Sequence, residues 1–215
     1  MAGPIRNALT IDVEDYFQVS AFAPHIPPET WGHQPCRVER NMDVVLEMLA
    51  ERGVQATFFT LGWIGERYPS LVRRIVAEGH ELASHGYSHR RASEQGRAEF
   101  LDDVIRAKGV LEDACGVEVK GYRAPSFSIG SRNLWALECL EQAGYRYSSS
   151  VYPIRHDHYG MPEAPRFAFR PEGRQSLLEL PVTTVQLLRR NLPAGGGGYF
   201  RLLPYPFSRW CLRRV

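Results

Sequence analysis

The chain has 215 residues, 44% of them hydrophobic and 23% charged, which is typical of a globular protein of one domain. Its formal net charge of +2, from 26 basic and 24 acidic residues, argues against a nucleic-acid-binding protein. Four widely spaced cysteines without a Cys-x-x-Cys pair, a short polar start and no apolar run of membrane-spanning length predict a cytoplasmic protein with reduced thiols and no transmembrane segment.

Strands and helices are predicted to alternate along the first two thirds of the chain. Apolar runs indicate the strands, and apolar residues at helical spacing indicate the helices. Gly53 and Gly79 are expected to end two of the helices, Pro69 to open one and Ser131 to cap another. Four successive pairs of strand and helix result: 8–13 with 38–52, 54–61 with 69–79, 81–84 with 98–114, and 117–123 with 131–143.

The pattern is weaker after residue 144. Strands are predicted at 145–151 and 177–184, the four glycines at 195–198 predict a mobile loop, and residues 207–215 predict a helix. That helix has no Gly or Pro stop, so we expect the natural polypeptide to continue. Successive strand and helix units imply parallel strands with right-handed crossovers. No Gly-x-Gly-x-x-Gly follows a strand, which favours a barrel-like α/β fold over an open nucleotide-binding sheet.

Polar clusters follow three predicted strands, at the ends where reactive groups gather in parallel α/β folds. The clusters are Asp12-Val13-Glu14-Asp15, His85-Gly86-Tyr87-Ser88-His89 and Arg123-Ala124-Pro125-Ser126. Histidines four residues apart lie on one side of a helical turn, so both imidazoles could bind one metal ion. The alternative is a surface pair of histidines that bonds to its own loop.

Two histidines and a carboxylate form the ligand set of a catalytic zinc-type site, which leaves one position for water. The acidic turn can supply both a ligand and a base near that water. Asp12 and Glu14 alternate along an extended segment and should share a face, with Asp15 opposite. Three solvated acids at a strand end are the alternative. Arg123 is either a surface cation or a guanidinium that keeps a neighbouring base ionised.

Together the clusters resemble the NodB-homology polysaccharide deacetylases, carbohydrate esterase family 4, over roughly residues 8–184. The likeness is to the exopolysaccharide-locus (PEP-CTERM/exosortase-associated) branch, whose three ordered motifs match residues 12–17, 84–89 and 123–127. The resemblance implies a distorted (β/α) barrel with fewer than eight parallel strands. It also implies a single deacetylase catalytic domain over residues 1–215, without its C-terminal portion.

The resemblance further implies hydrolysis of N-acetyl groups on an N-acetylated polysaccharide or glycan, with release of acetate. Asp12 would be the general base, Arg123 would orient it, and the backbone N–H of Ser126 would belong to an oxyanion hole. A divalent transition metal, zinc or else cobalt or nickel, would bind to three ligands: Glu14, His85 and His89. Glycan contacts would come from four residues: Tyr16, Phe17, Pro125 and Phe127. Oligomeric state is not predicted.

Two positions depart from the family pattern. Relatives brace the arginine with an Asp on a later strand, where this chain has Tyr147-Ser148-Ser149-Ser150 and Asp157 as the nearby acid. Relatives also have a late His that protonates the departing amine, whereas no His follows Thr184. Either this acid lies beyond residue 215 or the chain lacks it, and His156 or His158 could replace it. A cyclic amide or imide hydrolase of the same fold and a catalytically silent glycan-binding domain therefore remain alternatives. Trp31 and Trp63 could stack on sugars or belong to the core.

Overall fold

The structure is a computed structural model that describes residues 7–157, 159–173 and 176–215. The polar start at residues 1–6 and His158 lie outside the described residues. The chain divides into two compact units. Unit 1 comprises Met1–Arg90 and Asp102–Gly121, and unit 2 comprises Arg91–Leu101 and Tyr122–Val215.

Unit 1 contains a three-stranded parallel sheet with the order β1-β2-β3. The strands are β1 (Thr10–Val13), β2 (Thr57–Thr60) and β3 (Glu81–Ser84). The helices are α1 (Val38–Arg52), α2 (Gly62–Arg67), α3 (Pro69–Ala77) and α4 (Arg97–Cys115), of which the part from Asp102 belongs to this unit. Asp12 is paired in register with Phe59, and Phe59 with Ala83. The three strands therefore end at the same edge.

Helix α1 follows the predicted bounds because its sequence contains both the apolar spacing and a suitable stop. Met42, Leu46 and Leu49 are buried in one cluster with Phe58 of β2 and Ile75 of α3. Full burial of such a side chain contributes about 1.5–3 kcal/mol. The helix ends at Gly53, whose φ of 60° is the left-handed conformation that glycine adopts without a Cβ penalty.

Helix α2 was not predicted, because six residues with two glycines show no helical apolar pattern. Its first residue, Gly62, lies against Tyr87, where an added Cβ would come within 2.7 Å of the ring. A glycine is therefore required at this close approach.

The further strands are β4 (Gly121–Tyr122), β5 (Tyr147–Ser148) and β6 (Leu178–Glu179). They belong to unit 2, except that Gly121 of β4 is the last residue of unit 1. Strands β5 and β6 are parallel, and the Ser149 N–H donates to the Tyr122 carbonyl at 2.9 Å. A hairpin follows, made of antiparallel β7 (Thr184–Leu187) and β8 (Arg190–Pro193). The helices are α5 (Trp135–Gln142), α6 (Gly197–Leu202) and α7 (Tyr205–Arg214). The predicted α/β class with fewer than eight parallel strands is confirmed.

Three local predictions in unit 2 are wrong. Ser131 does not cap α5, which begins at Trp135; the turn before it is closed by Asn133, whose side chain accepts from the Gly130 N–H. The predicted strand 177–184 is divided into β6 and the start of β7, because Pro181 between them has no N–H to donate. Gly197 and Gly198 form the first turn of α6 rather than a loop, since glycine also tolerates helical angles.

Two further expectations concern the whole chain. All four cysteines are free, as predicted. Within the part of the chain that the structure describes, no helix is both long enough and apolar enough to cross a bilayer.

Candidate metal centre

Glu14, His85 and His89 meet in unit 1. The Oε2 atom of Glu14 lies 2.7 Å from Nε2 of His89 and 4.0 Å from Nε2 of His85. One ligand atom from each of the three side chains lies within 4.8 Å of the other two. Both imidazoles are buried, and the Glu14 side chain is 23% exposed. Three potential metal ligands thus converge in a largely buried position.

The chemistry of these donors fits a divalent transition metal. Oε2 of Glu14 is buried, and although it lies 2.7 Å from Nε2 of His89, it accepts no hydrogen bond of regular geometry from any residue that the structure describes. Burying a carboxylate oxygen without a hydrogen-bond partner costs free energy, and a bound cation would offset that cost. Two imidazole nitrogens and one carboxylate oxygen are also the donor set of many catalytic zinc sites. These three residues therefore fit the metal that the sequence predicts.

Strand pairing positions the ligands. Glu14 directly follows β1, and His85 directly follows β3. The central strand links the two, since Thr60 of β2 is paired with both Val13 and Ser84. The His85 N–H also donates to the Thr60 carbonyl at 2.9 Å, which extends the ladder by one residue. Parallel strands that end in register thus deliver both side chains to one edge.

The segment from His85 to His89 is a loop, so the predicted helical turn is wrong. Gly86 has a φ of 76° and His89 a φ of 55°, both outside the helical region. The two imidazole rings nevertheless converge, with centroids 5.2 Å apart. The start of α2 holds the loop, because the Gly62 N–H donates to the Gly86 carbonyl and the Trp63 N–H to the Tyr87 carbonyl. A non-glycine residue at positive φ is strained, and such strain often marks functional sites.

Asp103 of α4 also fixes this loop, and sequence reasoning missed it. Its carboxylate accepts the Tyr87 N–H at 3.0 Å and lies 3.5 Å from the Ser88 hydroxyl. Burial raises the pKa of Asp103, while the hydrogen bonds from Tyr87 and Ser88 lower it. One clue was available in the sequence of α4. Asp103 lies at helical spacing between Phe100 and Ala107, on the side of the helix whose apolar residues are buried.

Asp103→Ala is expected to weaken metal binding roughly 10- to 100-fold, as loss of an outer contact to a metal ligand commonly does. The substitution removes the acceptor for the Tyr87 N–H and frees the loop that joins the two histidines. Zinc affinity measured by competition with a chromophoric chelator tests this. The exposed neighbour Asp102 supplies the matched control, Asp102→Ala. Equal affinities for both variants would exclude Asp103 from ligand positioning.

The three acids of the first cluster have different surroundings. Asp12 lies within β1, and strand alternation places it on the same face as Glu14. Asp15 instead caps a short 3-10 helix, where its side chain accepts from the N–H groups of Tyr16 and Arg37. Asp15 therefore has a structural role at this cap, and among the described residues it is not part of the group that converges as a possible metal cluster.

The predicted glycan contacts of unit 1 differ from each other in exposure. Tyr16 is partly exposed. Phe17 is completely buried, with its ring centroid 6.0 Å from those of both Trp31 and Trp63. A direct glycan contact is therefore wrong for Phe17, because the apolar ring gains more free energy from the core than from the surface. Trp31 is buried as well, which favours the core interpretation for this residue.

Arg123 is buried in unit 2 and bonds to Ser149. Its Nε donates to the Ser149 carbonyl at 3.2 Å and its Nη2 to the Ser149 hydroxyl at 3.0 Å. The guanidinium also lies 5.8 Å from the ring centroid of Phe127. These contacts contradict the interpretation of Arg123 as a solvated surface cation.

The motif that follows Arg123 has unusual backbone geometry. Ser126 and Phe127 have φ values of 54° and 51°, which are rare for two consecutive non-glycine residues. Phe127 is partly exposed, whereas Pro125 is buried. A direct glycan contact is therefore wrong for the Pro125 side chain, since its ring packs inside the unit.

Glu179 of β6 is the second residue that sequence reasoning missed. It is completely buried, and its Oε1 accepts the N–H groups of Ser150 and Val151, both at 2.8 Å. Asp157, the acid that the sequence offered near Arg123, is exposed. His156 is exposed too and stacks on Tyr159, with ring centroids 3.9 Å apart. For Glu179, the available clue in the sequence was a single Glu inside an apolar stretch, Leu-Leu-Glu-Leu-Pro-Val.

Fold and site together define an α/β protein with a candidate His₂Glu metal centre. A family model described as Polysaccharide deacetylase matches residues 30–148, more than half of the chain. The chain belongs to the polysaccharide deacetylase family. The matched range contains His85, His89, Arg123 and Ser126, whereas Glu14 precedes it. A second model, described as a domain of unknown function (DUF3473), matches residues 149–215.

Individual relatives agree with this family. A peptidoglycan-N-acetylglucosamine deacetylase of Bacillus cereus is 35% identical over 95 residues, which are 44% of this chain and 34% of the relative. A chitooligosaccharide deacetylase of Sinorhizobium fredii is 42% identical over 82 residues, 38% of each chain. The chain thus spans little more than a third of the length of these relatives. A crystal structure from Mycobacterium smegmatis, assigned as a polysaccharide deacetylase, has 26% identity and a TM-score of 0.63, covering 82% of this chain and 58% of that one.

Proposed function

We propose that this chain hydrolyses N-acetyl groups of an N-acetylated polysaccharide or glycan, releases acetate, and depends on a metal ion. The observation that supports the proposal most strongly is the buried cluster of Glu14, His85 and His89 in a member of the polysaccharide deacetylase family. The named activities of the relatives support it, since one is a peptidoglycan-N-acetylglucosamine deacetylase and the other a chitooligosaccharide deacetylase.

Each site residue has a proposed role. Glu14, His85 and His89 hold the ion, which when bound stabilises negative charge as a Lewis acid and lowers the pKa of water towards about 7. In unit 1, the Asp12 carboxylate accepts a proton from the attacking water. The resemblance to the family assigns the Ser126 N–H to the oxyanion hole, which stabilises negative charge on the carbonyl oxygen, and it assigns Arg123 to orienting the base. The proton that Asp12 accepts balances the one that the departing amine takes up.

Finer assignments follow from the motifs and belong to the proposal. Zinc is the metal we propose, with cobalt or nickel as substitutes, because a His₂Glu set suits all three ions. Tyr16 and Phe127 are the proposed aromatic contacts of the glycan, as both are partly exposed. We also propose a single deacetylase catalytic domain of the exopolysaccharide-locus branch, on the basis of the three motifs quoted above, and a cytoplasmic location, on the basis of the four free cysteines.

Metal removal tests the proposal directly. The purified chain should release acetate from an N-acetylated chitooligosaccharide, and a chelator should lower the rate about 100-fold or more, since a catalytic ion contributes several kcal/mol. Adding zinc, cobalt or nickel back should restore the rate. The fully deacetylated oligosaccharide is the matched control substrate, because it has the same sugar backbone without an acetyl group to release.

Other outcomes would select the alternatives. Activity on a cyclic imide without acetate release from the glycan would assign the chain to the cyclic amide and imide hydrolases. Glycan binding without turnover, by a protein that holds no stoichiometric metal, would identify a silent binding domain. Either result would overturn the proposed deacetylase function.

A further inference from the structure

Residues 180–215 differ in charge from the rest of the chain. They include six arginines and no acidic residue, whereas the remaining residues include 20 basic and 24 acidic ones. This segment therefore has a formal charge of +6 and the rest of the chain one of −4. Two of the arginines, Arg209 and Arg213, lie in α7 and form no ion pair with any residue that the structure describes. Their charges are thus not compensated within the described part of unit 2.

The last two helices also expose large apolar side chains. Phe200 of α6 is 54% exposed, and Tyr205 and Leu212 of α7 are 64% and 53% exposed. Single exposed apolar residues are normal on a protein surface, but several close together often mark a binding surface. The arrangement of these three side chains relative to the arginines therefore matters.

Helix α7 has a buried side and an exposed side. Ser208 and Cys211 are its buried residues. Tyr205, Arg209 and Leu212 are exposed and follow one another at intervals of four and three residues, which places them on one side of the helix. Apolar and basic side chains therefore alternate along the exposed side of α7.

Two more side chains extend this exposed side. Arg213 is exposed and lies four residues after Arg209, so it is on the same side of α7. The ring of Phe200 lies edge-on to that of Tyr205, with centroids 6.3 Å apart, which joins α6 to the same patch. We define the α6–α7 face by five residues: Phe200, Tyr205, Arg209, Leu212 and Arg213.

This combination of side chains is complementary to an anionic lipid bilayer. Arginines pair with the phosphate headgroups, while leucine and aromatic rings enter the boundary between headgroups and acyl chains. An anionic polysaccharide would pair with the arginines but would gain little from Leu212. A second copy of this chain, docked by the same face, would bring Arg209 and Arg213 close to their own equivalents, and like charges repel.

We propose that the α6–α7 face binds the chain to an anionic membrane surface. The chain would lie on the bilayer by this face, with its arginines at the headgroups. This inference goes beyond the proposed function, because lipid binding does not require turnover of a glycan.

Sedimentation with lipid vesicles tests the proposal. The chain should bind vesicles made of phosphatidylglycerol and phosphatidylcholine in equal parts, and should bind pure phosphatidylcholine at least about 10-fold more weakly. Raising the salt concentration from about 0.1 M to about 1 M should weaken the binding, since the screening length falls from about 10 Å to about 3 Å. Equal binding to both kinds of vesicle, or no binding to the anionic ones, would overturn the proposal.

The arginines are tested by a double substitution. Arg209→Gln with Arg213→Gln should lower the partition coefficient for anionic vesicles roughly 25-fold, since each basic residue near an anionic surface contributes about fivefold. Arg40→Gln with Arg52→Gln removes two exposed arginines of α1 and is the matched control. It should change binding less than about twofold. Equal effects of the two double substitutions would reject the α6–α7 face as the binding surface.

Leu212→Ser separates a bilayer from an anionic polysaccharide, because it removes apolar surface and keeps the charge. It should weaken vesicle binding roughly 10-fold and leave binding to polygalacturonate unchanged. Met48→Ser is the matched control, since Met48 of α1 is also 53% exposed. Unchanged vesicle binding by Leu212→Ser, or binding of the unsubstituted chain to polygalacturonate but not to vesicles, would overturn the proposal.

The failure of this inference is distinguishable from the failure of the proposed function. All four variants should keep the melting temperature and the rate of acetate release from a soluble oligosaccharide, because none changes a proposed site residue. If the chain binds anionic vesicles as expected but releases no acetate, the proposed function fails and the membrane face stands. If it releases acetate but does not bind the vesicles, the membrane face is wrong and the proposed function stands.

Discussion

His89→Ala is expected to abolish stoichiometric metal binding and to lower deacetylation about 1000-fold or more, which corresponds to roughly 4 kcal/mol of lost transition-state stabilisation. His89 is the proposed ligand whose Nε2 lies 2.7 Å from Oε2 of Glu14, so its removal opens the cluster. Two remaining donors do not make the three-ligand set of a catalytic zinc site. Metal content by mass spectrometry and acetate release under saturating substrate measure both effects.

An exposed histidine provides the control for that variant. His25→Ala makes the same chemical change at an exposed position of the same unit and should keep metal and activity. Thermal unfolding gives a second readout, because an ion that binds the folded state stabilises it by mass action. The zinc-dependent rise in melting temperature should vanish in His89→Ala and persist in His25→Ala. A His89→Ala protein with one equivalent of zinc and full activity would remove His89 from the ligand set.

The convergence of the proposed metal ligands could be predicted from a general rule, without knowledge of the detailed fold. Parallel strands end at one edge, so polar residues that follow β1 and β3 are expected to meet there. The register of Thr60 with Val13 and Ser84 shows that this happens for Glu14 and His85. Helix α1 was predictable for a local reason, since its apolar spacing and Gly53 lie within one stretch of sequence.

The shape of the histidine loop could not be predicted in the same way. A spacing of four residues is compatible with a helical turn, but it does not determine φ at Gly86 or His89. Contacts from distant residues decide that geometry: the N–H groups at the start of α2 and the carboxylate of Asp103 on α4. Neither contact leaves a periodic pattern in the sequence.

Sequence patterns also did not predict which individual site residues are buried. Phe17 and Tyr16 are adjacent aromatic residues in one motif, yet one is completely buried and the other partly exposed. Glu179 shows the opposite case, in which a titratable residue is completely buried and its Oε1 accepts the N–H groups of Ser150 and Val151. Both outcomes depend on which elements pack together, and composition alone does not specify that.

Asp12→Asn is expected to keep the metal and lose the reaction. The amide cannot accept the proton of the attacking water, and loss of a general base typically lowers the rate about 10²- to 10⁴-fold. Asparagine preserves the size of the side chain, so β1 and its pairing with β2 should be retained. Acetate release, zinc content and the melting temperature would be measured on the same preparation.

Glu14→Gln is the informative partner of this variant, because it changes the other acid on the same face of β1. It should lose zinc as well as activity, since Oε2 of Glu14 is the atom that faces both imidazoles. The two variants therefore separate a base from a ligand, although both are inactive. Asp43→Asn, at an exposed position of α1, controls for the loss of a carboxylate in the same unit and should behave like the unsubstituted protein. Full turnover by Asp12→Asn would exclude Asp12 as the base, and loss of zinc from it would reassign Asp12 as a ligand.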